Sequence, residues 1–488
     1  MSNAIEGLKP QLVWKYFAEI SKIPRGSKNE RQVAAYVLQT ARQLGLEALQ
    51  DDALNVVVRK PASSGRESAP MVCLQGHMDM VCEKNADKVH DFEKDPIELV
   101  RQGNVLTANG TTLGADNGIA VATNLALMED RSLDHGPLEF LFTVDEEMGL
   151  NGANSLQPGF VKSRTLLNLD SEEEGALYVG CSGGRNTEAS WKLVTDDLPE
   201  DYLPMRVWVR GLKGGHSGLE IDKGRGNSLK ILARVLLALG KAGVRVCRMQ
   251  GGNKSNAIPR EAEALICIRA KKLKHARKIV AQFELTVQAE LPSVEPDLIV
   301  AMEELPGEQS RSAWKRPLQK KVLSALAALP HGVMKMSAEI PGLVETSTNL
   351  AIIKSEPEQI TVVTSQRSSV ASELDEIKQT VGTILELAAA KVKYSEGYPG
   401  WKPNMDSPIL KTAAATYERL YGRQPHVKAV HAGLECGIIG ERYPGMDMVS
   451  FGPTLECVHS PDERIYIDTV EKFYDFLLAV LRNVAERG

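Results

Sequence analysis

Two hydrophobic periodicities alternate along the 488-residue chain. Apolar residues recur at helical spacing over residues 11–22 and 31–45, and the second run closes on Gly45, a residue suited to ending a helix. Short apolar runs bounded by turn residues then predict strands at residues 55–59 and 71–76. A glycine-rich loop at residues 110–118 leads into an apolar helical stretch over 119–128, and further strands follow at 138–144 and 165–170. Three of these strands end in reactive side chains: His77 and Asp79 after the second, Glu146 and Glu147 after the third, Asp170 at the fourth. Ligands of open α/β sheets gather at such strand ends.

From residue 205 the pattern changes. A strand at 205–211, a loop at 213–218, a helix at 229–242, strands at 244–249 and 261–270, a helix at 274–291 and a strand near 297–302 give the order of a split βαβ sandwich. A second pass of similar texture supplies a helix at 317–329, strands near 343–353 and 359–366, a helix at 373–391 and a strand at 391–395. The α/β texture then resumes with a helix at 408–421, a strand at 447–452 and an amphipathic closing helix at 469–485. The expected organisation is a discontinuous domain, residues 1–185 and 399–488, interrupted by an inserted domain of two related lobes, residues 186–398.

Composition narrows the partners more than the fold. Hydrophobic residues at 43% and charged residues at 25% are ordinary for a globular protein, and a net charge of −5 argues against nucleic acid or an anionic membrane as partner. The N-terminal stretch lacks the basic and apolar regions of a leader, and no run approaches the ~18 apolar residues of a membrane span, so a cytoplasmic location is expected. Seven cysteines without a Cys-x-x-Cys pair point to reduced, mostly buried thiols.

Taken singly, the reactive residues have bland readings. An acidic triplet is usually a solvated turn, a His-x-Asp pair a hydrogen-bonded core pair, and Asp116 a helix N-cap. Their company changes this. One domain supplies His77, Asp116, Glu147, Asp170 and His459, which form two sets of three ligands if one carboxylate bridges. Imidazole with carboxylate suits zinc, with cobalt or manganese as substitutes. Two such ions about 3.5 Å apart polarise a carbonyl and activate a shared water, which is the chemistry of amide hydrolysis. Glu146, left over from the ligand sets, can carry the proton, and Asp79 can orient the His77 ring.

The motifs LQGHMDMV, GTTLGADNG, TVDEEMG, NLDSEEEG, GLKGGHSG, NAIPREA, HAGLECG, MDMVSFGP and HSPDE occur in that order, and with them the chain resembles the M20-type metallopeptidases over essentially its whole length. The resemblance implies an α/β, zinc-peptidase-like catalytic domain with a central mixed sheet, plus an inserted α+β lid domain of two ferredoxin-like lobes. It implies two zinc ions per subunit: one on His77 and Asp170, the other on Glu147 and His459, with Asp116 bridging and the peptide bond after it cis. Glu146 falls on the general acid/base. In the lid, His216 falls on a donor to the developing oxyanion, Asn256 on a group near the substrate, and Arg367 and Gly433 on contacts to a terminal carboxylate. Read alone, His216 is also compatible with a loop residue, Asn256 with a turn former and Arg367 with a surface charge. The implied activity is hydrolysis of unblocked dipeptides, Xaa-His included, by a homodimer whose domains close on the substrate. An N-acyl-amino-acid deacylase or a tripeptidase of the same fold would share these ligands. A non-catalytic binding protein would have no use for Glu146.

Overall fold

The structure, a computed structural model, describes residues 3–305, 308 and 312–486. It contains two compact units: Met1–Gly180 with Trp401–Ala429 and Leu434–Gly488, and Cys181–Gly400 with Val430–Gly433. The second unit thus starts before residue 186 and takes a short piece of the C-terminal region, Gly433 included.

The first unit is built on an eight-stranded sheet in the order Glu47–Gln50, Val56–Lys60, Leu138–Thr143, Val72–His77, Thr165–Asn168, Asp447–Ser450, Ala176–Cys181, His426–Val430. Its centre is parallel and its flanks include antiparallel pairs, so the sheet is mixed. Val72–His77 and Leu138–Thr143 are buried along their whole length, which is why both read as continuous apolar runs rather than alternating ones. Helix Gln11–Ile20 packs on helix Ala115–Glu129, with its buried Phe17 against Gly118. The closing helix Ile467–Ala485 sets Phe473 and Phe476 edge-on to Phe451, with ring centroids 6.0 and 4.8 Å apart. Each such ring contributes about 1.5–3 kcal/mol by burial.

A four-stranded sheet that the periodicity did not reveal runs Leu455–Glu456, Arg464–Tyr466, Val105–Ala108, Leu99–Gln102. Its strands are too short to show an alternating pattern. It ties the loop after Ala108, which leads to Asp116, to the hairpin carrying His459.

The second unit holds a nine-stranded sheet. Its main order is Ile299–Glu304, Tyr202–Arg210, Ala262–Arg269, Arg245–Gly251, Val344–Ser355, Gln359–Ser368, Gly183–Lys192, Lys391–Tyr394, and Gly332–Met336 pairs with Val344–Ser355. Each lobe contributes its own strands and a pair of helices, and the lobes join where Gln250 and Gly251 pair with Lys354 and Ile353. One apolar core runs through both, from Leu232, Leu236 and Ile266 to Trp314, Leu326 and Val362. Strand Gly183–Lys192, not expected from the pattern, pairs with Gln359–Ser368 over ten positions. This is the expected fold class: an α/β unit with a central mixed sheet and an inserted α+β unit of two lobes. Of the cysteines expected to be buried, Cys82 and Cys457 are exposed and Cys247 is partly so.

Candidate metal centre

Parallel pairing sets the frame of the site. His77 lies opposite Thr143, and Gln75 opposite Asn168, so His77, the Asp145–Glu147 triplet and Asp170 emerge at the same end of three neighbouring strands. A Cβ at Gly76 would run into the Asn117 side chain and Ala120, so only glycine lets the His77 strand pass this close to helix Ala115–Glu129. That helix is irregular at its start: Asp116 and Asn117 have non-helical backbone angles and the bond between them is cis. Gly114 holds the N-cap position, so Asp116 is not the cap.

The side chains converge. His77 Nε2 lies 3.2 Å from Asp116 Oδ1 and 3.4 Å from Asp170 Oδ1. His459 Nε2 lies 3.1 Å from Asp116 Oδ2 and 3.0 Å from Glu147 Oε2. The two oxygens of Asp116 therefore face different histidines. His77, Asp116 and Asp170 offer donor atoms all within 4.8 Å of one another, as do Asp116, Glu147 and His459, and as do His77, Glu146 and Glu147. Glu147 Oε1 is buried and has no hydrogen-bond partner among the described residues. A carboxylate oxygen left so is the kind of orphan a cation satisfies.

Burial and crowding perturb these groups strongly. Burial alone would lower the His77 pKa, but Asp170, Asp116 and Asp79 around it raise it well above the usual value. Hydrogen bonds with Asp116 and Glu147 raise His459 to about 11. Asp116 is buried, which disfavours its charge, yet the two histidines hold its carboxyl well below the usual range. Burial raises Asp170 to about 6, with Asp116 and Glu147 adding to the shift against His77. Glu146 is raised well above an ordinary carboxyl, first by burial and then by Asp170, Glu147 and Glu435. So dense a set of carboxylates and imidazoles in a buried pocket suits a cation.

Around these groups stands a second set that the sequence reading named only in part. Asp79 faces His77 Nδ1 at 3.3 Å, leaving Nε2 to face Asp116 and Asp170. Its two oxygens also accept the backbone N–H groups of Glu146 and Glu147, at 3.1 and 3.2 Å, and the Ser27 hydroxyl at 2.8 Å. Buried Arg25 donates to the carbonyls of Met78 and Gly114, tying the His77 loop to the Asp116 loop. Glu463 accepts four backbone N–H groups, from Leu113, Gly114, Ala115 and Asp116, at 2.7, 2.9, 2.8 and 3.2 Å. Asn117 accepts from His77 N–H and donates to the Leu169 carbonyl. Glu435, fully buried, is raised to about 7 by burial against the opposing charge of His77. The one signal available beforehand was polar residues inside mostly apolar strands, Gln75 in Val72–His77 and Asn168 in Thr165–Asn168.

The second unit places its own candidates. His216 sits on a two-residue strand, Gly215–His216, paired with Ala257–Ile258 so that His216 faces Ala257, next to Asn256. His216 and Asn256 both line a cavity of about 720 Å³. His216 Nδ1 accepts from Gly218 and Leu219 N–H at 3.3 and 3.0 Å, which puts the proton of the neutral ring on Nε2. Burial, then Arg367, lowers the His216 pKa to about 4, so the ring is neutral and Nε2–H is a donor at neutral pH. Arg367 is buried at 7% exposure, not a surface charge, and donates to the Tyr398 hydroxyl at 2.8 Å. Gly433 lies against the same ring: a Cβ there would stand 2.9 Å from Tyr398 Cε2. Tyr398, which backs both Arg367 and Gly433, carries no sequence signal of that role.

The profile of peptidase family M20/M25/M40 matches residues 73–483. The chain belongs to this family. Over 483 residues, 99% of either chain, this M20 protein is 38% identical to the cytosol non-specific dipeptidase of Escherichia coli (strain K12). The structure of aminoacylhistidine dipeptidase from Vibrio alginolyticus is similar at a TM-score of 0.89 and 40% identity, covering 98% of this chain and 97% of that one. The aminopeptidase PepT from Bacillus cereus, at a TM-score of 0.62 and 16% identity, shares the fold over 98% of this M20 chain and 99% of its own. Among the described residues no helix is long and apolar enough to cross a membrane.

Proposed function

We propose that this M20 protein is a cytoplasmic metallo-dipeptidase that hydrolyses unblocked dipeptides, Xaa-His among them. The observation that carries the reading is the shared carboxylate of Asp116, whose Oδ1 stands 3.2 Å from His77 and whose Oδ2 stands 3.1 Å from His459. Two sets of donors meet on that one residue. His77 and Asp170 would hold one zinc ion, Glu147 and His459 the other, and Asp116 both; cobalt or manganese suits the same donors. Bound there, the ions supply Lewis acidity to the scissile carbonyl and to a water.

The rest of the chemistry belongs to the protein. Glu146, made more basic than an ordinary carboxylate by burial and by Asp170 and Glu147, takes the proton of the attacking water and returns it to the leaving amine nitrogen. His216, neutral with its proton on Nε2, donates to the developing oxyanion. Arg367 and Gly433 take the terminal carboxylate of the dipeptide, with Tyr398 fixing the guanidinium, and Asn256 adds a polar contact. The two relatives at 38% and 40% identity are both dipeptidases by name, and one of them is cytosolic by name, which supports substrate class and location together.

The test is hydrolysis of β-Ala-His and Gly-His beside their N-acetylated forms, by protein stripped with chelator and reloaded with zinc. Cleavage of the free dipeptides alone, lost on chelation and restored by zinc, is the expected result. Cleavage of the acetylated forms alone would make the protein a deacylase, and activity that survives chelation would remove the metal from the reading.

A further inference from the structure

Beneath the ligand-bearing strand ends of the first unit runs an unbroken line of buried hydrogen bonds. Ser171 Oγ meets Ser450 Oγ at 2.6 Å, and Ser450 Oγ–H donates to Asn168 Oδ1 at 2.5 Å. Asn168 Nδ2–H donates to Gln75 Oε1 at 2.6 Å, and Gln75 Nε2–H donates to Glu435 Oε2 at 2.5 Å. Thr143 Oγ1–H donates to the same carboxylate oxygen at 2.6 Å, and Gln75 gives its other amide hydrogen to Thr143 at 3.1 Å. Since Ser450 uses its hydrogen on Asn168, Ser171 must donate to Ser450. Every donor along the line therefore points toward Glu435, whose Oε2 accepts from both Gln75 and Thr143. Gln75, Thr143, Asn168, Ser450 and Glu435 are all at 0% exposure.

The positions matter as much as the bonds. Gln75 is two residues before His77 and on its face of the strand. Thr143 lies opposite His77 and leads directly into the loop of Glu146 and Glu147. Asn168 is two residues before Asp170 and also accepts the Asp170 backbone N–H at 3.3 Å. Gln75, Thr143 and Asn168 thus each sit within three residues of a proposed ligand or the proton carrier, on three different strands. Polar groups inside a sheet otherwise packed with aliphatic residues carry a desolvation cost unless every one is paired. Well-packed apolar residues would serve stability at least as well.

We propose that Glu435 is a positioning residue whose carboxylate anchors this buried relay and so holds the strand ends of His77, Glu146–Glu147 and Asp170 at the mutual spacing a pair of divalent ions needs. The inference rests on the metal-centre reading above. Metal sites tolerate displacements of only about 0.5 Å in their ligands, and outer groups that orient ligands typically matter by about 10–100-fold in metal affinity or activity.

The test uses the full chain, stripped and titrated with cobalt by calorimetry and by its visible absorption, with kcat and KM measured in parallel. Glu435→Leu, which keeps volume but leaves Gln75 and Thr143 without an acceptor, is expected to bind cobalt about tenfold or more weakly, with an altered visible spectrum and a fall in kcat at near-constant KM. Glu435→Gln, which keeps an oxygen for both donors, is expected to restore the wild-type spectrum and affinity. Ser450→Ala, a milder cut at the far end of the relay, is expected to shift the spectrum in the same direction and keeps the comparison available if Glu435→Leu does not fold. Glu435→Leu with wild-type affinity and spectrum overturns the inference, as does Glu435→Gln impaired as badly as Glu435→Leu. If the wild type itself takes up no pair of cobalt ions, the metal-centre reading falls, and this inference with it.

Discussion

Glu463 is four residues from His459 in the chain, yet its carboxylate serves a different loop, accepting the N–H groups that surround Asp116. A sequence shows the distance to His459 and hides the partnership with residues 113–116. The proposed ligands His77, Asp116, Glu147 and Asp170 were legible because each is a histidine or acid at the end of an apolar strand or after a glycine-rich loop, where the residue type alone suggests the chemistry. Glu463, Arg25, Asn117 and Tyr398 were not, because their roles rest on backbone groups brought near only by folding. Removing the Glu463 clamp should show this directly. Glu463→Ala leaves four buried N–H groups without an acceptor, and losing hydrogen bonds to a charged group costs about 1.5–3 kcal/mol apiece at most. The expected outcome is a lower Tm for the metal-free protein together with weaker zinc uptake; an unchanged Tm would show that the loop holds its shape without Glu463. Glu146 calls for the opposite behaviour. Glu146→Gln should keep zinc content and Tm close to wild type while kcat falls by about 10²–10⁴-fold, the size of general acid–base catalysis, and unchanged turnover would take Glu146 out of the mechanism.

The two periodicities located most of the longer helices and strands to within a few residues, from Gln11–Ile20 to Ile467–Ala485, because their apolar stripes are wide and unbroken. The pattern failed on elements stabilised by partners rather than by their own sequence. Gly183–Lys192 is one, with two glycines and alternating polar residues that only its pairing with Gln359–Ser368 makes a strand. Helix Glu435–Arg442 is another, short and half covered. The second unit also carries three histidines kept neutral by their surroundings. Burial, then nearby cations, lowers His216 to about 4, His331 to about 4 and His431 to about 3, against an ordinary value of 6.5. Since these groups bind protons more weakly folded than unfolded, their contribution to stability is full above pH 6.5 and is lost as pH falls from there toward 4. Proton NMR of the histidine rings should show three resonances that do not titrate between pH 8 and 5. Their titration near 6.5 would mean that these side chains are solvated.

At the scale of the whole molecule, the discontinuity of the first unit was readable from the return of α/β texture after the inserted lobes. The exact crossing points were not, since a short piece such as Val430–Gly433 has too few residues to carry a pattern of its own. The strand Asp447–Ser450 and the hairpin of His459 complete the first unit, pairing with Thr165–Asn168 and with Val105–Ala108. A ribosome making this chain therefore releases His77, Asp116 and Asp170 early and then spends the length of the second unit before His459 emerges. One proposed ion can find its three side chains on the nascent polypeptide; the other must wait until translation is nearly over. On the proposed two-ion reading, catalytic competence is thus withheld through most of synthesis, because the last ligand is among the last residues to be made.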